Sequence, residues 1–412
     1  MPRHVVDSLD VLVATRKFVL LACHLRSSEE PGRARHTARM SSVIGLFTGL
    51  LSAGGVQRAS RHVAAVTASF ASDRGMTADF FSLNDPQGLH TVRVGSLEFS
   101  VSGCAERKSQ FVLSAMQAAG RKPALVMALH PNLAPIVWAM KSRSGRFRSM
   151  VFTHGIEVWQ PLGWPRGAAL RNADVVIGPS RDTVQHLVGD QRILRDRTRR
   201  LPWGLDPEFE SRVAASASIS RPPGFPQTGR VVLTVGRWDS AEKYKGADTL
   251  IAALPRLAQA APGVSVVLVG DGDDRPRLEK LARDLGVSDR AYFLSALTPE
   301  QLFSCYASCD VFALPSRGEG FGLVFLEAMA LGKPVIGGAH GGIPDIVEDG
   351  VAGLLVPHGD AERLAQALET LLNDPRRATE IGAGNRDRVA ERYSFAQFQT
   401  NLVRILDEIL TR

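Results

Sequence analysis

Cysteine is scarce in this chain: Cys23, Cys104, Cys305 and Cys309 are the only four in 412 residues. Four is too few for a disulfide scaffold, and none form a metal-ligand pair, so a reducing, cytoplasmic setting is the expectation. Long apolar runs are missing as well. Leu9–Cys23 is broken by Arg16 and Lys17 and falls short of the roughly 18 residues a membrane span needs. No small-residue cleavage site follows a clean apolar core, which argues against a signal peptide. There is no low-complexity tract and no short-period repeat. The full Gly-x-Gly-x-x-Gly spacing is absent, which argues against NAD, and no Ser-His-Asp set or metal cluster is indicated. Hydrophobic residues at 44% and charged residues at 22% exclude a disordered chain and a polytopic membrane protein.

What the chain has in excess is positive charge in one half. Up to Leu205 there are 27 Lys and Arg against 14 Asp and Glu, and from Asp206 onward 22 against 28. Basic residues gather at Arg121–Lys122, Lys141–Arg148 and Arg192–Arg200. They serve either as solvated faces or as a surface for an anionic membrane, where each cation near the lipid contributes about 1 kcal/mol. These runs hold few aromatics to stack on bases, so nucleic acid is not an expected partner. Met40 stands directly before an apolar stretch, Ser41-Ser-Val-Ile-Gly-Leu-Phe47. Residues 1–39 therefore read as an amphipathic surface anchor or as sequence ahead of a true start at Met40.

Apolar runs of three to seven residues alternate with helical patterns along the rest. Strands are expected at Val43–Phe47, Thr77–Leu83, Ala124–Leu129, Ser149–Thr153 and Val175–Pro179. A second series follows at Val231–Val235, Ser265–Val269, Ala291–Leu294, Val311–Leu314, Pro334–Ile336 and Gly353–Val356. Short apolar strands separated by helices imply parallel sheets covered on both faces. The expectation is α/β, with two doubly wound parallel-sheet (Rossmann-like) domains facing across a cleft. The Pro-, Gly- and Ser-rich stretch Ser211–Gly229 reads as the joint. In such sheets ligands bind beyond the carboxyl ends of the strands, so the loops there should carry the chemistry.

The most informative stretch runs from Pro315 to Ile336. A strand ends in a glycine-rich turn that enters a helix near Gly322. Glycines let backbone N–H groups approach an anion, and a helix N-terminus adds roughly half a positive charge. A carboxylate in the turn, Glu319, can accept hydrogen bonds from sugar hydroxyls. One deeper in the helix, Glu327, can clasp a ribose diol. In Val235-Gly-Arg-Trp-Asp-Ser-Ala-Glu-Lys-Tyr-Lys-Gly246 a fixed cation pair at the strand end would suit a departing diphosphate, but on the residues alone Arg237 and Lys245, with Lys243 as a nearby alternative, read as surface cations. Cys305 shares a helix face with Leu302, Tyr306 and Cys309 and reads as core packing.

The string from Glu319 through Glu327 to Val335 resembles the signature of the retaining glycosyltransferases of family 4, the glycosyl transferases group 1, which have the GT-B fold. The resemblance covers about Val43 to the C-terminus. It implies transfer of a sugar from a nucleotide-diphosphate donor with the anomeric configuration retained. The expectation is a hexose moved from a UDP- or GDP-sugar to a saccharide or lipid-linked acceptor, the basic first half favouring envelope or exopolysaccharide synthesis. By the same resemblance Arg237, Lys245, Glu319 and His154 are catalytic. Gly54, Gly55, Gly236, Gly270, Leu297, Gly320, Phe321, Gly322, Leu323 and Glu327 bind the donor, and Glu157 faces the acceptor. Two positions depart from the family pattern: Ser295 stands where a glycine is usual behind the base, and Trp203 where asparagine is frequent. No cofactor and no obligatory metal are implied.

The corresponding domains are residues 40–210 on the acceptor side, 211–392 for the nucleotide-sugar donor, and 393–412 as a helix returning to the first domain. The location implied is cytoplasmic, with a peripheral position at the inner membrane face. Two other readings stay open, a nucleotide-sugar 2-epimerase of the same fold and a non-catalytic nucleotide-sugar binding module.

Overall fold

Runs such as Val231-Val-Leu-Thr-Val235 and Ser265-Val-Val-Leu-Val269 have the β-branched, apolar character of strands buried on both faces, and both are strands in the computed structural model of the protein. The structure describes residues 41–144, 147–215 and 220–411. The extension 1–39, Met40 and Cys23 lie outside the described residues.

The first sheet has eight strands. In chain order they are β1 (Ser42–Phe47), β2 (Thr77–Ser82), β3 (Gly88–Val94), β4 (Leu97–Gly103), β5 (Leu125–Ala128), β6 (Arg148–Phe152), β7 (Val175–Gly178) and β8 (Thr198–Arg200), arranged β3-β4-β2-β1-β5-β6-β7-β8. The second sheet holds β9 (Val231–Val235), β10 (Ser265–Val269), β11 (Ala291–Leu294), β12 (Val311–Leu314), β13 (Val335–Gly338) and β14 (Gly353–Val356), arranged β11-β10-β9-β12-β13-β14. All five pairings between neighbours in the second sheet are parallel.

The first sheet departs from the all-parallel expectation at one edge, where β3 runs antiparallel to β4. The physical reason is local. Gly95, at φ 57°, turns the chain after Val94, and the flanking residues alternate between buried and exposed rather than forming one apolar run. A sheet edge wetted on one side needs only that alternation, so a search for solid apolar runs passes over it.

The chain divides by contacts into two compact units. Among the described residues, one comprises 41–152, Leu162–Val176 and 403–411; the other comprises Thr153–Pro161 and those between Ile177 and Leu402. The core of the first unit lies where the helix Gly55–Asp73 buries Ala59, Val63, Val66 and Phe70. Phe80 packs edge-on to both Phe47 and Phe99 there. The core of the second unit includes Phe312 and Phe325, with ring centroids 5.3 Å apart, beside Tyr306. Cys305 and Cys309 are buried in it, and burial pushes both thiols up to about 12, as befits packing groups.

The helix Pro299–Ser308 starts at a reciprocal capping box between Thr298 and Gln301. The stretch read as a joint, Ser211–Gly229, opens inside a helix, Pro207–Ala215. Glu208 and Glu210 favour that helix by standing in its first turn. Among the described residues no helix is long and apolar enough to cross a membrane.

Candidate active site

In the second sheet the strand order reverses between β9 and β12: β10 and β11 lie on one side, β13 and β14 on the other. Loops leaving the carboxyl ends of the two strands that flank such a reversal diverge and leave a crevice. Here those loops are 236–246 and 315–322, the two stretches that the sequence singles out.

The loop after β9 is anchored by backbone bonds to the loop after β10. Gly236 N–H donates to the Val269 carbonyl (3.0 Å), Trp238 N–H to Asp271 (2.9 Å) and Asp274 N–H to Trp238 (2.9 Å). The approach is so close that a Cβ on Gly270, at φ 131°, would lie 1.8 Å from the Gly236 carbonyl oxygen. Asp273 then fixes the next turn by accepting from both the backbone N–H and the hydroxyl of Ser240, bonds that hold its carboxyl below the ordinary range.

From there a short 3-10 segment, Ser240–Lys245, brings Arg237, Glu242 and Lys245 together. The Glu242 carboxylate accepts from the Arg237 guanidinium through one oxygen and lies 3.0 Å from Lys245 Nζ through the other. Lys245 and Glu242 are only 15% and 13% exposed, whereas Arg237 is 71% exposed. The alternative cation, Lys243, sits 4.0 Å from Asp274 instead.

The loop after β12 carries Glu319. Burial raises its carboxyl above the ordinary value; Lys245 and Arg237 work against that shift and Glu242 works with it. Both cations therefore act on Glu319. Tyr244 ties the two loops together. Its carbonyl accepts from Arg317 N–H (2.8 Å), and its ring occupies the space where a Gly318 side chain would be. Burial, followed by Glu242 and Glu319, pushes the Tyr244 hydroxyl above its usual value.

Gly322, at φ 102°, turns the chain into the helix Leu323–Ala330, whose first turn contains no acidic residue. The N-terminal amides of Leu323 and its neighbours are thus left without a carboxylate of their own helix. Glu327 is 2% exposed, and its Oε2 accepts from the Tyr306 hydroxyl at 2.6 Å.

Thr153–Pro161 belongs to the same unit and passes against this turn. A Cβ on Gly320 would lie 1.8 Å from the His154 carbonyl oxygen, and one on Gly155, at φ 133°, 2.2 Å from Gly320 Cα. His154 N–H donates to Glu157 Oε1 at 2.5 Å, and its ring stacks on Trp203 with centroids 5.6 Å apart. Glu157 therefore closes the turn that holds His154. Behind β11, Arg275 donates to Ser295 Oγ (3.1 Å) and to Glu279 (2.8 Å), which fixes the loop leading to Leu297.

In the other unit, Gly54 caps the helix that begins at Gly55. The preceding loop is held by Asp85, which accepts from Leu50 and Leu51 N–H (2.8 and 3.1 Å), and by Arg61, which donates to the Leu50 carbonyl.

Arg237, Lys245, Glu319, Gly320, His154 and Gly236 are thus part of one unit, as are Gly270, Phe321, Gly322, Leu323, Glu327, Leu297 and Glu157; Gly54 and Gly55 belong to the other. The sequence reading missed Glu242, Tyr244, Tyr306 and Asp85. Glu242 and Tyr244 lie inside the quoted 235–246 string, yet nothing in their spacing distinguishes them from surface residues.

The raised Glu319 pKa has a consequence for stability. The folded state takes up a proton at Glu319 more readily than the unfolded chain does. The contribution of this residue is therefore greatest below the ordinary carboxylate value and is lost as pH rises through the folded value. Glu319→Gln is expected to unfold at a higher temperature than the wild type at pH 7 and to lose that advantage near pH 4. Thermal unfolding across that range checks it, and a variant less stable than wild type at pH 7 refutes it.

A family profile described as glycosyl transferases group 1 matches residues 216–388. The GDP-mannose-dependent alpha-(1-6)-phosphatidylinositol monomannoside mannosyltransferase of Mycolicibacterium smegmatis is 33% identical over 285 residues, covering 64% of this chain and 71% of that protein. The D-inositol 3-phosphate glycosyltransferase of Corynebacterium aurimucosum is 34% identical over 243 residues, covering 58% of this chain and 52% of its own. Among solved structures, sucrose-phosphate synthase from Thermosynechococcus elongatus superposes with a TM-score of 0.71 at 24% identity, covering 90% of this chain and 99% of that one.

Proposed function

The chain belongs to the glycosyl transferases group 1 family and has its GT-B fold, and from that premise we propose that it transfers a hexose from a nucleotide-diphosphate sugar to a lipid-linked or saccharide acceptor, with the anomeric configuration retained. The observation that carries this reading is the pair Arg237 and Lys245, gathered by Glu242 at the reversal of the second sheet, with the Glu319 carboxyl under their influence. Cations fixed at a strand end stabilise charge that grows on a diphosphate as its bond to the sugar breaks. They therefore bind the transition state more tightly than the donor.

In this reading the Glu319 carboxyl accepts hydrogen bonds from the sugar hydroxyls, and His154 contacts the sugar or its phosphate. The amides from Gly320 to Leu323 hold the phosphates at the helix N-terminus. Gly236, Gly270 and Leu297 border the nucleoside, with Glu327 toward the ribose. The acceptor oxygen bonds to the anomeric carbon on the face from which the diphosphate departs. The bond to the diphosphate oxygen breaks, and that oxygen takes the acceptor proton. Side chains and amides handle the charge, with no obligatory metal.

The names of the mannosyltransferase relatives make GDP-mannose the first donor to test. The phosphatidylinositol monomannoside in those names and the inositol 3-phosphate in the name of the glycosyltransferase relative, together with the basic first half of this chain, favour an anionic acceptor presented at a membrane surface in envelope synthesis.

Thermal unfolding with GDP-mannose, UDP-glucose and UDP-galactose tests the donor. A ligand at a hundred times its Kd stabilises the folded state by about 2.7 kcal/mol. The expected result is a higher midpoint with one nucleotide sugar and none with the free hexose. No shift with any nucleotide sugar contradicts the reading.

A further inference from the structure

Resting on the donor site proposed above, we infer that Glu242 is an internal counter-ion: a positioning residue that engages the cation pair between turnovers and whose negative charge speeds departure of the nucleoside diphosphate product. Three observations support this role. The Glu242 carboxylate meets both cations at once, the Arg237 guanidinium with one oxygen and Lys245 Nζ at 3.0 Å with the other. It does so while only 13% exposed, in a 3-10 segment whose helical run breaks at Glu242 itself, at φ −112° and ψ 24°. Its charge also reaches the remaining groups of the site, because it raises the pKa values of both Tyr244 and Glu319.

Without Glu242, Lys245 would be a largely buried ammonium in a site with no bound anion and with another cation beside it. That state is costly, because a half-desolvated charge needs a partner. An incoming diphosphate would relieve the cost, so the affinity for diphosphate would rise. With Glu242 in place, the pair is already neutralised in part, and the bound diphosphate faces a carboxylate across the same two cations. Like charges at this separation repel appreciably in a partly buried setting. Product therefore leaves more readily than it would from an unopposed Arg–Lys pair. A residue that merely braced Arg237 and Lys245 would behave in the opposite way: its loss would disorder them and weaken binding.

The test is calorimetric titration of GDP, with inorganic pyrophosphate as a second probe, into wild type, Glu242→Gln and Arg237→Ala. Glu242→Ala removes the same charge with less bulk and serves if the glutamine variant does not fold. The expected result is that the Glu242 variants bind GDP on the order of tenfold more tightly, while Arg237→Ala binds more weakly. Steady-state turnover of the Glu242 variants should show kcat and KM falling together, because slow release retains product on the enzyme. If the Glu242 variants bind GDP equally or more weakly while Arg237→Ala is impaired, the donor site stands and the counter-ion role is overturned. If Arg237→Ala binds both probes as wild type does, the donor site itself is refuted and this inference falls with it.

Discussion

Replacing Arg237 and Lys245 together with alanine is expected to lower kcat by roughly 10²–10³-fold or more, with a smaller change in KM. The asymmetry follows from when the charge appears. In the bound donor the glycosidic oxygen is bonded to the sugar and carries no charge of its own; a further negative charge grows on it as that bond breaks. Removing one preorganised charge stabiliser from an active site costs about 10²–10³-fold. Arg237 and Lys245 share one partner, Glu242, so their losses should not simply multiply. The double variant also strands Glu242, so circular dichroism must first show that it is folded. Turnover within a few-fold of wild type in a folded double variant would remove both residues from the chemistry.

Gly320→Ala should damage the fold and the activity at once. The added methyl would lie 1.8 Å from the His154 carbonyl oxygen and 2.8 Å from Gly155 Cα, both backbone atoms that no rotamer change can move aside. Overpacking of this kind costs about 1–3 kcal/mol. The turn carrying Glu319 must then shift relative to Lys245, and a displacement of about 1 Å can cost 10²-fold in rate. Gly384 provides the contrast. It lies in the helix Pro375–Arg392 with nothing within 4 Å of its missing Cβ. Gly384→Ala should be neutral or stabilising by about 0.4–1 kcal/mol. Denaturant unfolding of both variants, with donor turnover, decides the matter: equal stability of the two would show that the His154–Gly320 contact is not tight.

Strands, and the helices that cover them, were legible wherever burial on both faces forces an unbroken apolar run. Five of the six strands in the second sheet begin and end at the expected residues; the sixth, β13, begins one residue later and extends through Gly338. Legibility failed where burial is partial. The β3–β4 hairpin is wetted on one face, so it shows only alternation. The helix Pro375–Arg392 buries just Ile381, Gly382, Asn385 and Val389 among its 18 residues, so its charged sequence shows little of the apolar periodicity that marks a helix.

The candidate site divides along similar lines. The turn from Glu319 into the helix at Leu323 is continuous in sequence and carries its own glycine pattern, so it can be read directly. Glu242 acquires its meaning from Arg237, five residues before it, and Lys245, three after, only once the kink in Ser240–Lys245 brings all three together. Trp203 departs from the family pattern, and the stacked His154 ring supplies a structural reason for an aromatic residue at that place. Asp85 is remote in sequence from the Leu50–Leu51 loop whose amides it binds, and no local pattern announces such a contact.

The central claim is that two cations grip the diphosphate of the donor. Titrating GDP into the wild type and into the folded Arg237→Ala, Lys245→Ala double variant tests it most directly, because binding is read without any acceptor or turnover. The account predicts measurable binding to the wild type and a loss of at least about 100-fold in the variant, as expected when two charge-assisted contacts to phosphate are removed. Equal affinity in the two proteins would contradict it.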